Sequence, residues 1–178
     1  MKKLVLSYEL AWRTEEDKKF LKRKEWLKEI RPRILKLQDY TCQYCGYRKE
    51  EKQHINHIDG NPKNNKDENL EVICNYCHMI THAGLWCVVL KSVDIYEKSK
   101  YNQNEIVQIT RKMREEEKTD DEIIKFLELE NKTNFKQDLK YLAERFGFIT
   151  SRKKDKSPPR ITLTEKEQKE ALQNRSNW

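Results

Sequence analysis

Two pairs of cysteines have the spacing of metal ligands. Cys42 and Cys45 form one Cys-x-x-Cys pair, and Cys74 and Cys77 form another. Four thiolates at these spacings can meet around one tetrahedral ion, with Zn–S bonds of about 2.3 Å. Because four sulfur ligands leave no open coordination position, the pattern predicts a structural zinc ion. The alternative, free buried thiols, leaves the identical spacings unexplained; Cys87 lies outside the pattern and is predicted to be an ordinary buried thiol.

All four histidines of the chain lie between or just after the cysteine pairs. His78 and His82 are four residues apart, so on a helix their imidazoles lie on one face, one turn apart, as a divalent-metal site requires. A lone pair at this spacing is often a mere surface contact, but a zinc knuckle directly before the helix favours ligation. For His54 we expect only an exposed polar residue.

The order of these residues resembles that of the HNH nuclease family. The chain reads His-Ile-Asn-His-Ile-Asp-Gly-Asn at 54–61, Glu-Asn-Leu at 68–70 and Cys-Asn-Tyr-Cys-His at 74–78. Zinc-containing members that are common in phages and mobile elements carry similar segments in this order. The resemblance covers about residues 34–84. It implies hydrolysis of DNA phosphodiester bonds with a catalytic divalent ion, Mg²⁺, Mn²⁺ or Ni²⁺, beside the structural Zn²⁺.

The resemblance also implies roles for individual residues. His57 corresponds to the general base, and Asn56 corresponds to a ligand of the catalytic ion. His78 corresponds to a further ligand, and His82 to an additional ligand of some branches. The amide of Asn69, the middle asparagine, would bond backbone across the hairpin and hold His57 in place. Because strand side chains alternate between faces, Asn56 and His57 can serve one site only if the strand is distorted or forms a tight hairpin.

Hydrophobic spacing predicts the elements that position these residues. An amphipathic helix with a basic outer face covers residues 15–30, Pro32 ends or restarts it, and a short helix follows at 33–38. Turn residues at 60–65 precede an alternating strand at 70–74. Further helices are predicted around 106–113, after the capping box of Thr119 and Glu122, from Asn134 to a C-terminal cap at Gly147, and after Thr164.

The predicted fold class is α+β, with a small ββα-metal (HNH) zinc-knuckle module embedded in a mostly helical chain. We divide the chain into a basic helical arm at 1–38, the zinc module at 39–90 and a helical region at 91–178. The short helices of the last region, with apolar segments at 148–150 and 161–163, could form a helix-turn-helix with a wing. Helix pairs with basic loops are, however, more often packing elements than DNA readers.

Positive charge surrounds the central segment. The chain has 37 Lys and Arg against 30 Asp and Glu, a net charge of +7 and a pI near 9.0. Residues 11–38 carry ten basic against five acidic side chains and residues 150–178 carry eight against four, whereas residues 39–84 carry five against seven. This distribution favours a polyanionic partner, which the resemblance specifies as DNA. The flanks are predicted to contact either DNA or a protein partner.

Composition limits the class of protein. A mean hydropathy of −1.06 and 38% charged residues leave little apolar surface for a core, so a bound metal is expected to support folding. No apolar run approaches membrane-spanning length, and the N-terminus has no signal-peptide core. We therefore expect a cytosolic protein with reduced cysteines and no membrane partner.

Two other functions fit parts of the pattern. The chain is also similar to the HNH-like zinc-binding subunit of type IV secretion coupling complexes, in Trp12 and Arg13 and in the knuckle at 40–46. That subunit is a non-catalytic adaptor and lacks the base histidine, which is present here as His57. A plain zinc-finger module that binds nucleic acid would explain the zinc and the basic flanks. It would not explain histidines outside the zinc shell, so the pattern favours the enzyme.

Overall fold

The fold is described from a computed structural model, which describes residues 1–7, 23 and 25–151. The wing at 161–163, the helix after Thr164, the Trp12 and Arg13 pair and most of the helix at 15–30 lie outside the described residues. The described part mixes helix and sheet, in agreement with the predicted α+β class. Its elements are a π-helical turn Trp26–Ile30, α1 Arg31–Leu37, β1 His54–His57, a 3-10 turn Asp67–Asn69, β2 Leu70–Ile73, α2 Asn75–Thr81, a π-helical turn Leu85–Val89, β3 Val93–Lys98, α3 Gln103–Glu115, α4 Asp120–Phe126, β4 Glu130–Thr133, α5 Leu139–Ala143 and β5 Phe146–Ile149.

The first sheet is a hairpin of β1 and β2, and α2 follows it directly. One face of this hairpin packs on α1 and on the π-helical turn before it. Pro32 lies in the first turn of α1, which continues directly from the π-helical turn, so the predicted end or restart of the helix at Pro32 is wrong. The residues of this contact share one apolar cluster: Trp26, Ile30, Ile34, Leu35, Ile55, Leu70 and Val72.

The second sheet is antiparallel and has the strand order β4-β3-β5. Both helix starts beside it are fixed by capping boxes. Thr119 and Glu122 form the predicted box at α4, and Asn102 and Glu105 form another at α3 that the sequence reading missed. Each box satisfies N–H groups that a helix start leaves unpaired, so the two helices begin at defined residues.

The predicted helix from Asn134 to Gly147 is wrong. The structure has only the short α5 there, and Phe146–Ile149 is the strand β5, paired with β3. Gly147 is therefore a strand residue and not a helix cap. A Cβ atom at this position would lie 2.8 Å from methyl groups of Ile80 and Leu6. Glycine is needed because α2 and the N-terminal segment approach the strand closely.

The predicted domain boundary at residue 90 is crossed by extensive packing. Leu4 and Leu6 lie in one apolar cluster with the four paired cysteines, with Ile80 of α2 and with Val107 of α3. The N-terminal segment, the knuckles and the C-terminal region thus share a core. Within the described ranges, no helix combines the length and apolarity that a bilayer crossing requires.

Candidate functional site

The four paired cysteines converge in the core. Their sulfur atoms all lie within 4.8 Å of one another, and Sγ of Cys45 is 3.6 Å from Sγ of Cys74. A tetrahedral ion with Zn–S bonds of about 2.3 Å would separate its sulfurs by roughly 3.8 Å. The four cysteines could therefore hold a metal ion such as zinc. In the part of the chain described, no other cluster of His, Cys, Asp or Glu brings three ligand atoms this close.

Local structure presents each pair of sulfurs. In the first knuckle, N–H of Gly46 donates to the carbonyl of Cys42 at 3.0 Å, and the φ of +71° at Gly46 is a conformation that glycine adopts without strain. In the second, Cys74 caps the start of α2, where its Sγ accepts from N–H of Cys77 at 3.4 Å. A helix N-terminus favours a thiolate at this position.

The sulfurs strongly affect each other's ionisation. The pKa of the Cys42 thiol lies far below its ordinary value, because Cys45, Cys74 and Cys77 hydrogen-bond to its thiolate. The pKa of Cys77 is raised, foremost by its bond to the Cys42 sulfur. One thiolate thus opposes the ionisation of the next. A bound cation is what allows all four sulfurs to carry charge together.

The hairpin between the knuckles has a regular register. Asn56 pairs with Glu71 and His57 with Leu70, without a bulge. The distortion expected at Asn56 and His57 is therefore absent, because the turn residues after β1 lie wholly in the loop. The side chains of the two residues point to opposite faces of the hairpin.

His57 lies on the α1 face at the end of β1. The residue is 7% exposed, and its ring stacks on Trp26 with centroids 5.1 Å apart. Its Nε2 is 3.1 Å from Oδ1 of Asn65. Because an amide oxygen only accepts, Nε2 carries the proton in this contact.

Asn69 fastens the loop that follows His57. Its Oδ1 accepts from N–H of Asp59 at 3.0 Å, and its Nδ2 donates to the carbonyl of Asn64 and to Oδ1 of Asp59, both at 2.9 Å. The amide thus bonds to backbone groups at two points of the loop. The pKa of Asp59 lies below its ordinary value, because its carboxylate accepts first from the Asn64 side chain, then from N–H of Asn61 and the Asn69 amide.

The other three histidines lie where the hairpin faces α2. The rings of His78 and His82 are 4.6 Å apart, in an edge-on arrangement. His54 is exposed, as expected, but its ring lies 5.1 Å from that of His78. The sequence reading missed this neighbour. Strand alternation could have identified it, since it places His54 and Asn56 on the same face.

Glu71 is a second residue that sequence reasoning missed. It is 2% exposed, although it stands at a polar position of the predicted alternating strand. Its carboxylate accepts from Tyr44 Oη at 2.7 Å, Asn56 Nδ2 at 2.9 Å and Lys2 Nζ at 2.6 Å. Burial, and then the bond to Glu71, raise the pKa of Tyr44 well above its usual range. Because Asn56 donates through Nδ2, its Oδ1 is turned away from Glu71.

A cleft of about 190 Å³ opens where β1 ends. Lys3, Asn56, His57 and His82 are among its lining residues, whereas His78 contacts His82 from outside this lining. Because the cleft lies at the end of the strand, it borders both faces of the hairpin. Side chains that point to opposite faces can therefore line the same opening. The cleft is thus lined by an amide, two imidazoles and an ammonium group.

Comparison with known proteins adds no assignment: no protein-family model matches the chain, and no curated protein matches it significantly. The function is therefore inferred from the site itself.

Proposed function

We propose that this protein is a metal-dependent endonuclease of the HNH type that hydrolyses phosphodiester bonds in DNA. The observation that carries the proposal is the cleft at the end of β1, which His57, Asn56 and His82 all border. The end of the hairpin, the end of the helix and the N-terminal segment line it, and the cysteine cluster joins the loop before the hairpin to the start of that helix. These features support the proposal, because a ββα-metal module combines a hairpin with a helix.

Two kinds of metal site belong to the proposal. Cys42, Cys45, Cys74 and Cys77 would hold a structural Zn²⁺. Asn56, His78 and His82 would hold the catalytic ion, Mg²⁺, Mn²⁺ or Ni²⁺. When bound, a divalent ion stabilises negative charge on the phosphoryl and leaving oxygens.

Side chains of the protein carry out the remaining steps. Nδ1 of His57 takes a proton from the attacking water, while Oδ1 of Asn65 accepts from Nε2 and stabilises the imidazolium that forms. Asn69 fixes the loop beyond this histidine. Lys3, in the cleft lining, presents positive charge to a phosphate. The products carry 5′-phosphate and 3′-hydroxyl ends.

A second candidate is a non-catalytic, HNH-like zinc-binding adaptor in a protein complex. The environment of His57 favours it, because a ring that is 7% exposed and stacked on Trp26 is also what a purely structural histidine would show. The basic flanks would then contact a protein partner. The two candidates differ in whether Nδ1 of His57 meets a reacting water.

Cleavage assays separate the two. Supercoiled, linear and single-stranded DNA are incubated with the full chain and Mg²⁺, Mn²⁺ or Ni²⁺, and His57→Ala is compared with wild type below the melting temperature of both. We expect His57→Ala to lose cleavage and keep its zinc. Because the substitution leaves the space of the ring beside Trp26, added imidazole should restore cleavage.

Asn69→Ala is the matched control, since it loosens the same loop but keeps the base. Imidazole should not restore its activity. Wild-type protein that leaves every DNA form intact with every ion rules out the nuclease and leaves the adaptor. Undiminished cleavage by His57→Ala shows that another group is the base.

A further inference from the structure

One face of α3 packs on the metal-binding knuckles. Asn104, Gln108 and Arg111 follow one another at intervals of four and three, which places them on the same helix face. Nδ2 of Asn104 donates to the carbonyl of Tyr44 at 2.6 Å, and Nε2 of Gln108 donates to the carbonyl of Cys45 at 2.9 Å. These bonds hold the helix in register against the first knuckle.

Arg111 extends this contact to a metal-binding sulfur. Its Nη2 lies 3.0 Å from Sγ of Cys74. Its guanidinium carbon is 3.7 Å from the ring centroid of Tyr47 and 4.6 Å from that of Tyr76. One ring follows the first knuckle and the other lies within the second. The side chain is therefore held against both knuckles, with an N–H directed at the sulfur.

The charges around Arg111 indicate why the contact matters. Four thiolates and one Zn²⁺ carry a net charge of −2, in the interior of a small protein. Arg114, the next arginine of α3, pairs with Asp120 at 2.8 Å. Among the residues described, no carboxylate pairs with Arg111 in this way, so the sulfur cluster is the anionic group beside it.

We propose that Arg111 belongs to the structural metal site as an outer partner of its thiolates. Its positive charge offsets part of the cluster's negative charge, which slows metal release and makes α3 part of the metal site. This role rests on zinc binding by the four cysteines, which is part of the proposed function. Arginine suits it better than lysine, because a planar guanidinium can stack on both rings while it donates to sulfur.

The test uses the full zinc-loaded chain. Arg111→Met is compared with Lys112→Met, which removes the same charge from the adjacent, exposed position of the same helix. The rate of zinc transfer to an excess of chromogenic chelator is measured. We expect Arg111→Met to release zinc about 10- to 100-fold faster, the range typical for loss of an outer partner. Lys112→Met should release it at the wild-type rate.

A spectrum separates this role from ordinary packing. In protein loaded with Co²⁺ in place of zinc, the thiolate-to-cobalt absorption reports the electron density on sulfur. Without the guanidinium the thiolates are more electron-rich, so Arg111→Met should shift this band to lower energy. Loss of packing alone would lower the melting temperature and leave the band in place. Arg111→Lys keeps the charge without the stacking. Its rate of zinc release and its cobalt band should therefore lie between those of wild type and Arg111→Met.

The possible outcomes separate the role of Arg111 from the existence of the metal site. Equal zinc release by Arg111→Met and Lys112→Met, with an unmoved cobalt band, would falsify the role of Arg111 and leave the zinc site intact. If Arg111→Met does not fold, Arg111→Lys must still release zinc faster than wild type, and a wild-type rate overturns the role. A wild-type chain that takes up neither zinc nor cobalt overturns the metal site itself, and this role with it.

Discussion

Gly147→Ala tests how tightly the histidine helix is held by the C-terminal sheet. The added Cβ would lie 2.8 Å from Cδ1 of Ile80 and from Cδ2 of Leu6, and 3.4 Å from Cγ1 of Val93. Ile80 and Leu6 are 0% and 2% exposed, so their methyl groups have no solvent to move into. Ile80 lies in α2, between His78 and His82. A displacement of the Ile80 side chain is therefore expected to shift the proposed site.

The magnitude follows from two opposing effects. Overpacking a filled core typically costs about 1–3 kcal/mol. Alanine recovers roughly 0.5–1 kcal/mol relative to glycine in a strand, because less conformational entropy is lost on folding. The middle of these ranges gives an expected loss of about 1 kcal/mol in the free energy of unfolding of Gly147→Ala. Urea unfolding of the zinc-loaded chain, followed by tryptophan fluorescence, measures it.

Ile80→Val supplies the matched control, because it removes the Cδ1 atom that the new Cβ would meet. Alone it should cost about 0.5–1.5 kcal/mol, as a buried methyl group is lost. In the double variant the two changes compensate, so the combined loss should fall short of the sum by about 1 kcal/mol. Strict additivity, or a Gly147→Ala chain as stable as wild type, would refute this account of the close approach.

Three further predictions concern the site. Cys45→Ser should release zinc and unfold the chain around the knuckles, because metal binding supplies folding free energy; zinc content and circular dichroism report it. Glu71→Ala should weaken binding of Mn²⁺ about 10- to 100-fold in calorimetric titration, because the Asn56 amide loses its orienting partner. The depressed pKa of Asp59 stabilises the folded state above its ordinary value of 3.8, and this contribution is lost as pH falls through the folded-state pKa. Asp59→Asn should therefore be less stable than wild type at pH 7, with the difference shrinking in acid unfolding series.

The sequence was sufficient where local rules decide the structure. Two Cys-x-x-Cys pairs predicted one cluster, and Thr119 with Glu122 predicted the start of α4, because both patterns act within a few residues. The strand β2 was predicted on the same grounds. None of these features requires knowledge of distant contacts.

Long-range packing explains what the sequence reading missed. Leu139, Leu142 and Phe146 have helical spacing, but pairing with β3 turns the last of them into strand. Alternation places Glu71 at a polar position of its strand, but the residue is buried and bonds to Lys2 and Tyr44, far from it in the chain. Partners at such separations leave no periodic signal in the sequence.

The two proposed metal sites depend on each other through α2. Cys74 caps the start of the helix, His78 follows within it, and His82 caps its C-terminus. Because a helix turns by a fixed angle per residue, anchoring its first turn to the sulfur cluster also fixes the direction of His78 and the place where the helix ends at His82. The end of β1 brings Asn56 and His57 to the same cleft as His82. Loss of structural zinc would therefore abolish cleavage although no sulfur borders the cleft, whereas loss of the catalytic ion should leave the fold in place.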